Sequence, residues 1–357
     1  MSEVRAKKAL GQHFLVDLNI ARKICDALSG GVRPEAGAET RAVAAGSADA
    51  DAETRTRVAG YAGAGAEART MAAGSADAGA EARTKATGTA DADAETRRGV
   101  AASADARLAA DTTAAGAPAA AEEERGGAVP CDVLEVGCGM GVLTQFLLRR
   151  GDITTYGAEI DPESVEYLHA HFPEFAPRLI EGDFLKMNLR ERFPRGLKII
   201  GNFPYNISSQ IFFKVLEHRD LVPECVGMIQ KEVAVRIAEP PGSKEYGILS
   251  VLLQAWYDIE YLFTVNETVF NPPPKVKSAV IRLRRNSVGR LGCDEALFVK
   301  VVKASFGQRR KMIRNSLKSV FGDFGGAEHP FFTRRAEQLG VAEFVELTNW
   351  VSRFSIL

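Results

Sequence analysis

One stretch, Asp132-Val-Leu-Glu-Val-Gly-Cys-Gly-Met-Gly141, limits the folds open to this 357-residue chain more than any other. A short apolar run passes directly into three glycines at alternate positions and then into a helical pattern over residues 142–150. A strand, a turn that needs backbone freedom and a helix in immediate succession is how a parallel α/β sheet presents main-chain N–H groups to a ligand. A dinucleotide fingerprint would place its third glycine at 142, but that position is Val142 and the glycine is Gly141. The spacing Gly137-x-Gly139-x-Gly141, preceded by an acidic residue, fits S-adenosylmethionine better than a nicotinamide dinucleotide.

Three more strand ends follow, each carrying a group suited to such a ligand. Residues 153–158 predict a strand ending at Glu159, 22 positions after Gly137, whose carboxylate is expected to accept both ribose hydroxyls. Residues 178–181 predict another, delivering Asp183 toward the cofactor's adenine amine and Phe184 toward its face. The apolar run 197–201 predicts a buried strand that delivers Asn202-Phe203-Pro204-Tyr205-Asn206. There the Asn202 side-chain carbonyl and the Phe203 main-chain carbonyl can each accept one hydrogen of an exocyclic amine, while the Tyr205 ring offers a stacking face for a base. The pentapeptide alone reads equally well as a turn built on Pro and Asn. Its place after the other strand ends selects the reading in which adenine is methylated.

Strands are also predicted at 222–230, 258–265 and 278–283, with a helix at 248–257 and wholly helical patterning after about residue 285. The fold class expected is α/β, a doubly wound, mostly parallel seven-stranded sheet with a small all-α C-terminal domain. The basic run Gln308-Arg309-Arg310-Lys311, continued by Arg314 and Lys318, is expected on a helix face; such a run is usually solvated, but four cations within six positions suit phosphate contact through Arg309, Arg310, Lys311 and Arg314.

Residues 36–126 stand apart. Ala-Glu-Thr-Arg or Ala-Glu-Ala-Arg starts at positions 38, 52, 66, 80 and 94, a tandem repeat of period 14. Two heptads would suit a coiled coil, but the units hold Ala, Gly, Ser and Thr where a seam needs Leu or Ile, so the insertion is expected to be disordered. It carries 10 basic and 15 acidic residues, leaving 35 basic against 31 acidic in the rest. The overall net charge of -1 therefore conceals a mildly basic remainder, as suits a polyanionic substrate. No apolar run is long enough for a membrane helix and residues 1–15 lack a signal peptide's apolar core, so a cytoplasmic location is expected. The five cysteines show no C-x-x-C pairing, and no metal site is expected. The domains expected are 1–35 (cofactor-contacting segment and first helix), 36–126 (insertion), 127–285 (catalytic) and 286–357 (helical, RNA-contacting).

The chain resembles the bacterial small-subunit ribosomal RNA adenine dimethyltransferases. The matching segments are Leu10-Gly-Gln-His-Phe-Leu15, Glu135-Val-Gly-Cys-Gly139, Gly201-Asn-Phe-Pro-Tyr-Asn206, Gln230-Lys-Glu232, Phe270-Asn-Pro-Pro-Pro-Lys-Val-Lys-Ser-Ala-Val280 and Phe306-Gly-Gln-Arg-Arg-Lys-Met-Ile-Arg-Asn-Ser-Leu317. They span the chain apart from the insertion; Cys138 stands where the family often has proline and Phe203 where it usually has leucine or isoleucine. The resemblance implies a class I methyltransferase sheet and S-adenosylmethionine contacts from Gln12, His13, Leu15 and Ile160 in addition to Gly137, Gly139, Gly141, Glu159, Asp183, Phe184 and Asn202. It implies a catalytic set of Asn202, Phe203, Pro204, Tyr205 and Phe270, the last placed against the target base. It further implies a monomer that dimethylates two adjacent adenosines near the 3′ end of 16S rRNA within the immature small subunit. The alternatives are a large-subunit rRNA dimethyltransferase of the antibiotic-resistance type, a DNA adenine methyltransferase, disfavoured because Phe203 stands at the second position of its Asn-Pro-Pro-Tyr, and a mainly non-catalytic assembly factor.

Overall fold

The computed structural model describes Val4, Ala6, Lys7, residues 10–30 and residues 130–354; the disorder expected for residues 36–126 lies outside the described residues. Before the insertion come β1 (Phe14–Leu15) and α1 (Leu18–Ala27). After it, strands and helices alternate: β2 (Cys131–Val136), α2 (Thr144–Leu147), β3 (Ile153–Glu159), α3 (Pro162–His171), β4 (Leu179–Glu181), α4 (Leu189–Arg192), β5 (Lys198–Asn202), α5 (Ser208–Glu217), β6 (Glu224–Gln230) and α6 (Lys231–Ala238). There follow α7 (Ile248–Gln254), β7 (Tyr257–Val265), β8 (Phe270–Asn271), β9 (Ser278–Arg285), α8 (Glu295–Gly307), α9 (Ile313–Phe321) and α10 (Val341–Val351).

Seven strands form one sheet in the order β4-β3-β2-β5-β6-β9-β7, as expected for this fold class. The pairs from β4 to β6 are parallel, and β9 lies antiparallel between β6 and β7. All six residues of β2 are buried, the signature of a strand flanked on both sides and covered on both faces. The chain leaves β2 toward β3 and β4 on one side and returns through β5 and β6 on the other. A crevice therefore opens at the carboxyl ends of β2 and β5, where such sheets bind ligands.

Three local expectations are corrected. The helix after the glycines is only Thr144–Leu147, because the N–H groups of Phe146, Arg149 and Arg150 bond three residues back and tighten the chain into turns. The helix expected over 248–257 stops at Gln254, since Tyr257 enters β7 and its hydroxyl donates to the Val222 carbonyl at 2.9 Å. Arg309, Arg310 and Lys311 lie in the connection between α8 and α9 rather than on a helix, because α8 ends at Gly307 and the Ile313 N–H bonds the Arg334 carbonyl.

The C-terminal helices share a core with the sheet. Phe298, Val301 and Val302 of α8 belong to the same buried cluster as Leu252, Trp256 and Tyr257, and the Trp256 and Phe298 rings meet edge to face at 6.0 Å.

At the amino end of the sheet, cations occupy the carbonyls that α1 leaves open at its C-terminus. Arg150 donates to the carbonyls of Cys25 and Leu28, Arg282 to that of Ala27, and Lys198 to those of Ser29 and Gly30. Lys198 also pairs with Glu224 at 3.1 Å, both side chains being less than a tenth exposed, and Glu224 accepts from the Ser29 N–H. A Cβ at Gly30 would stand 3.5 Å from the Asp152 carboxylate, while Cys131 pairs with the adjacent Ile153. The chain thus departs before the insertion and resumes after it at neighbouring points.

Candidate active site

The crevice holds a cavity of about 200 Å³ lined by the strap 10–15 on one side and by residues from the ends of β2, β3, β4 and β5 on the other. Among the described residues its lining includes Glu135, Glu159 and Asp183 and not one lysine or arginine. Such a lining offers a pyrophosphate no cation, and its carboxyl groups suit a ligand carrying positive charge, as a sulfonium and an ammonium group would. Gly137 and Gly139 line it with φ of 76° and 53°, and a Cβ on Gly139 would stand 3.2 Å from the Phe14 ring. The residues present fit S-adenosylmethionine.

Most of the expected contacts come together here. Gln12, His13, Leu15, Gly137, Gly139, Glu159, Ile160, Asp183, Phe184, Asn202, Phe203, Pro204 and Tyr205 all line the cavity. Gly141 does not. A Cβ there would fall 2.4 Å from the Phe172 ring, so the absent side chain makes room for that ring. Phe270 is also absent from the lining: at 4% exposure it packs among Leu15, Val265 and Val280, held by the antiparallel pairing of β1 with β8. The ring facing Tyr205 is instead that of His13, with centroids 5.2 Å apart and a tilt of 31°.

Glu159 is buried, and its carboxylate accepts from the Gly139 N–H at 2.8 Å and from the Ile160 and Asp161 N–H groups at 2.9 Å. Burial raises its pKa against the pull of those bonds. With about four acceptor positions on a carboxylate, one stays open, so a single ribose hydroxyl fits without displacing a backbone partner. Asp183 accepts from the Leu185 N–H, which turns the chain at the end of β4.

At the end of β5 the Asn202 Nδ2 donates to the His13 carbonyl at 2.9 Å, leaving Oδ1 as the acceptor available to a ligand. The Phe203 N–H continues the ladder to the Met228 carbonyl, and its fully buried ring lies over Gly201 and Gly227, where an added Cβ would come within 2.9 and 2.5 Å of it. The Tyr205 hydroxyl bonds Ser278 Oγ, fixing the ring to β9.

Residue types alone marked Glu135 only as the acidic residue before the glycines, and did not single out Lys7, Asp161 or Ser278. Glu135 is fully buried beside the glycine turn and accepts from Thr144 Oγ1 at 2.6 Å. Burial pushes its pKa up to about 8, with the nearby Glu159 adding to the shift and the Thr144 hydroxyl opposing it. A carboxyl whose folded pKa exceeds its unfolded value costs stability as pH rises between the two, here from the ordinary carboxylate range to about 8. Stability should therefore fall from the ordinary carboxylate range up to about pH 8 and level off above it, and Glu135→Gln should flatten that slope in urea melts taken across the range. An unchanged slope would show that Glu135 is ionised throughout.

Comparison with known proteins gives the family. The model of ribosomal RNA adenine dimethylases matches residues 130–350. The chain belongs to this family. Two curated relatives, both called ribosomal RNA small subunit methyltransferase A, are from Parabacteroides distasonis and Bacteroides thetaiotaomicron. The first is 61% identical over 60% of this chain and 81% of its own length, the second 60% identical over 61% and 82%. A dimethyladenosine transferase from Plasmodium falciparum superposes with a TM-score of 0.53 at 25% identity, covering 63% of this chain and 91% of its own. As a member of the ribosomal RNA adenine dimethylase family the chain is a methyltransferase that uses S-adenosylmethionine. Among the described residues no helix is long and apolar enough to cross a membrane.

Proposed function

We propose that this enzyme, acting as a cytoplasmic monomer on the immature small ribosomal subunit, dimethylates the exocyclic amines of two adjacent adenosines near the 3′ end of 16S rRNA. The observation that carries the reading is Asn202: its amide is pinned by the His13 carbonyl with Oδ1 left free, at the floor of a cavity walled by carboxyl groups. Both curated relatives are named for the small subunit, which favours 16S over large-subunit RNA.

S-adenosylmethionine, when bound, supplies an electrophilic methyl group on sulfur. Adenine's amino lone pair is delocalised into the ring, so the protein's task is orientation. Asn202 Oδ1 and the Phe203 carbonyl draw the two amine hydrogens to one side and turn the lone pair toward the donor. No strong base is needed, because the nitrogen becomes acidic only after it is alkylated. Tyr205, fixed through Ser278, provides the face on which the unstacked base rests, offsetting part of the cost of leaving its helix by about 1–3 kcal/mol. Phe270 acts behind this surface by holding β8 against β1.

Incubating the protein and labelled cofactor with immature small subunits, large subunits and duplex DNA, then mapping the label, tests the assignment. Label at two adjacent adenosines of 16S rRNA alone is expected, and label confined to large subunits or DNA would overturn it.

The basic connection after α8 divides in two. Arg309 is committed to the protein, donating to the carbonyls of Lys244 and Tyr246, and Arg314 pairs with Glu328 at 2.7 Å. Arg310 and Lys311 are exposed and have no ion-pair partner among the described residues. Replacing both by alanine should flatten the slope of log affinity for ribosomal RNA against log salt by about 1.4 to 1.8. Arg309→Ala should leave that slope in place and instead loosen the segment around residues 244–246, seen as faster amide exchange there. Equal slopes for all variants would place RNA elsewhere.

A further inference from the structure

Asp161 occupies the N-cap position of α3, where an aspartate ordinarily accepts from the helix's first N–H groups, yet its side chain makes no such bond. It is wholly buried and turned the other way. One oxygen accepts from the Lys7 ammonium, and the other from Gln12 Nε2 at 3.2 Å and from Ser164 Oγ at 3.1 Å. Lys7 also reaches Glu163 at 3.1 Å, and its main-chain N–H donates to Gln12 Oε1 at 2.8 Å. Two of the three donors on this carboxylate therefore come from the segment that precedes β1. Burial would raise the Asp161 pKa, but these donors outweigh it and hold the group ionised.

The same segment is tied down at its other end. β1 pairs with β8, His13 Nδ1 lies 2.9 Å from the Pro272 carbonyl, and the His13 carbonyl receives Asn202 Nδ2. Between the two anchors, residues 10–15 form one wall of the cavity, while Glu159 and Ile160, immediately before Asp161, form part of the wall opposite. Gly11 is pressed against Asn206, with φ of 64° and room for no Cβ.

We infer that Lys7 and Asp161 are positioning residues for methyl transfer: their ion pair is a clasp that holds the 10–15 strap across the cofactor cavity and, through His13, keeps the Asn202 amide oriented. Neither residue touches the reacting atoms. The inference rests on the S-adenosylmethionine reading above. It assigns the clasp two consequences, since a released strap both uncovers the cavity and frees the Asn202 amide to rotate.

Stopped-flow binding of S-adenosylhomocysteine to the full chain separates this from a structural role. Lys7→Met should speed association and dissociation together, each by about three- to tenfold, as befits a half-exposed charge-assisted bond. Lys7→Arg should restore both rates. In the ligand-free protein, amide exchange should quicken across residues 10–15 in Lys7→Met and stay unchanged in β2 and β5. Asp161→Asn combined with Lys7→Met should be no more severe than the worse single change, because each opens the same clasp. At saturating cofactor the single-turnover rate on RNA should fall, reporting the freed Asn202. Faster dissociation with unchanged association would make Lys7 an ordinary affinity contact and overturn the clasp, as would fully additive effects in the double variant. A wild-type protein that binds no S-adenosylhomocysteine would strike the functional reading instead.

Discussion

Asn202→Ala is expected to lower the single-turnover methylation rate at least about a hundredfold, the usual cost of removing one preorganised group that acts on a developing charge. Cofactor affinity should change far less, because the lost carbonyl addresses the acceptor amine. Asn202→Asp is the sharper variant: it keeps an acceptor but loses the N–H that bonds the His13 carbonyl at 2.9 Å. Two carbonyl-type oxygens would then face each other, and the side chain should rotate away. Both variants should therefore be slow, and retention of a tenth of the wild-type rate by either would end the role given to Asn202.

Glu224→Ala should be the most damaging change for stability, though it lies at the opposite end of the sheet from the cavity. It strands Lys198, which is 8% exposed, and takes an acceptor from Ser29. Breaking a buried pair from one side costs about 3–5 kcal/mol. For a folded body of this size that is a fall in melting temperature of about 6 to 20 °C. Replacing both partners with apolar residues should recover much of it, since no charge is then left buried. The pH dependence has a definite sign. Burial would raise the Glu224 pKa, but Ser29 and Lys198 outweigh it and the pKa is lowered. Its contribution is therefore complete above the ordinary carboxylate range and disappears as pH falls through the depressed folded value. Calorimetric scans from pH 7 down to pH 3 should show wild type and Glu224→Ala converging, and a constant gap would contradict the assignment.

What was legible in the sequence follows a physical line. Gly137, Glu159, Asp183 and Asn202 were readable because each closes an apolar run, and a parallel sheet collects such ends at a single edge. Partners set by tertiary approach were not. Lys7 and Asp161 lie 154 residues apart, and nothing local marks either as the other's counterpart. An aromatic beside three prolines is equally suited to facing a ligand or filling a core, and the pairing of β8 with β1 sends Phe270 into the core. Gly141 fits the glycine spacing, yet the close approach it permits is that of Phe172. Arg309 reads as one more cation in a basic run, whereas its geometry is that of a clip on main-chain carbonyls. The resemblance carried the 10–15 segment to the cofactor, but only the fold puts the His13 ring beside Tyr205.

The neighbouring positions of Gly30 and Cys131 also bear on how such a chain can grow. Six residues of β2, about 20 Å of strand, separate that junction from the glycines of the cavity. Chemistry sits at one pole of the sheet and the junction at the other. The carbonyl grip of Arg150, Arg282 and Lys198 on the end of α1 closes the fold on itself before the extra sequence begins. The junction is a seam: sequence that leaves at Gly30 and returns at Cys131 makes no demand, by its length, on a strand register or on the spacing of Glu159, Asp183 and Asn202.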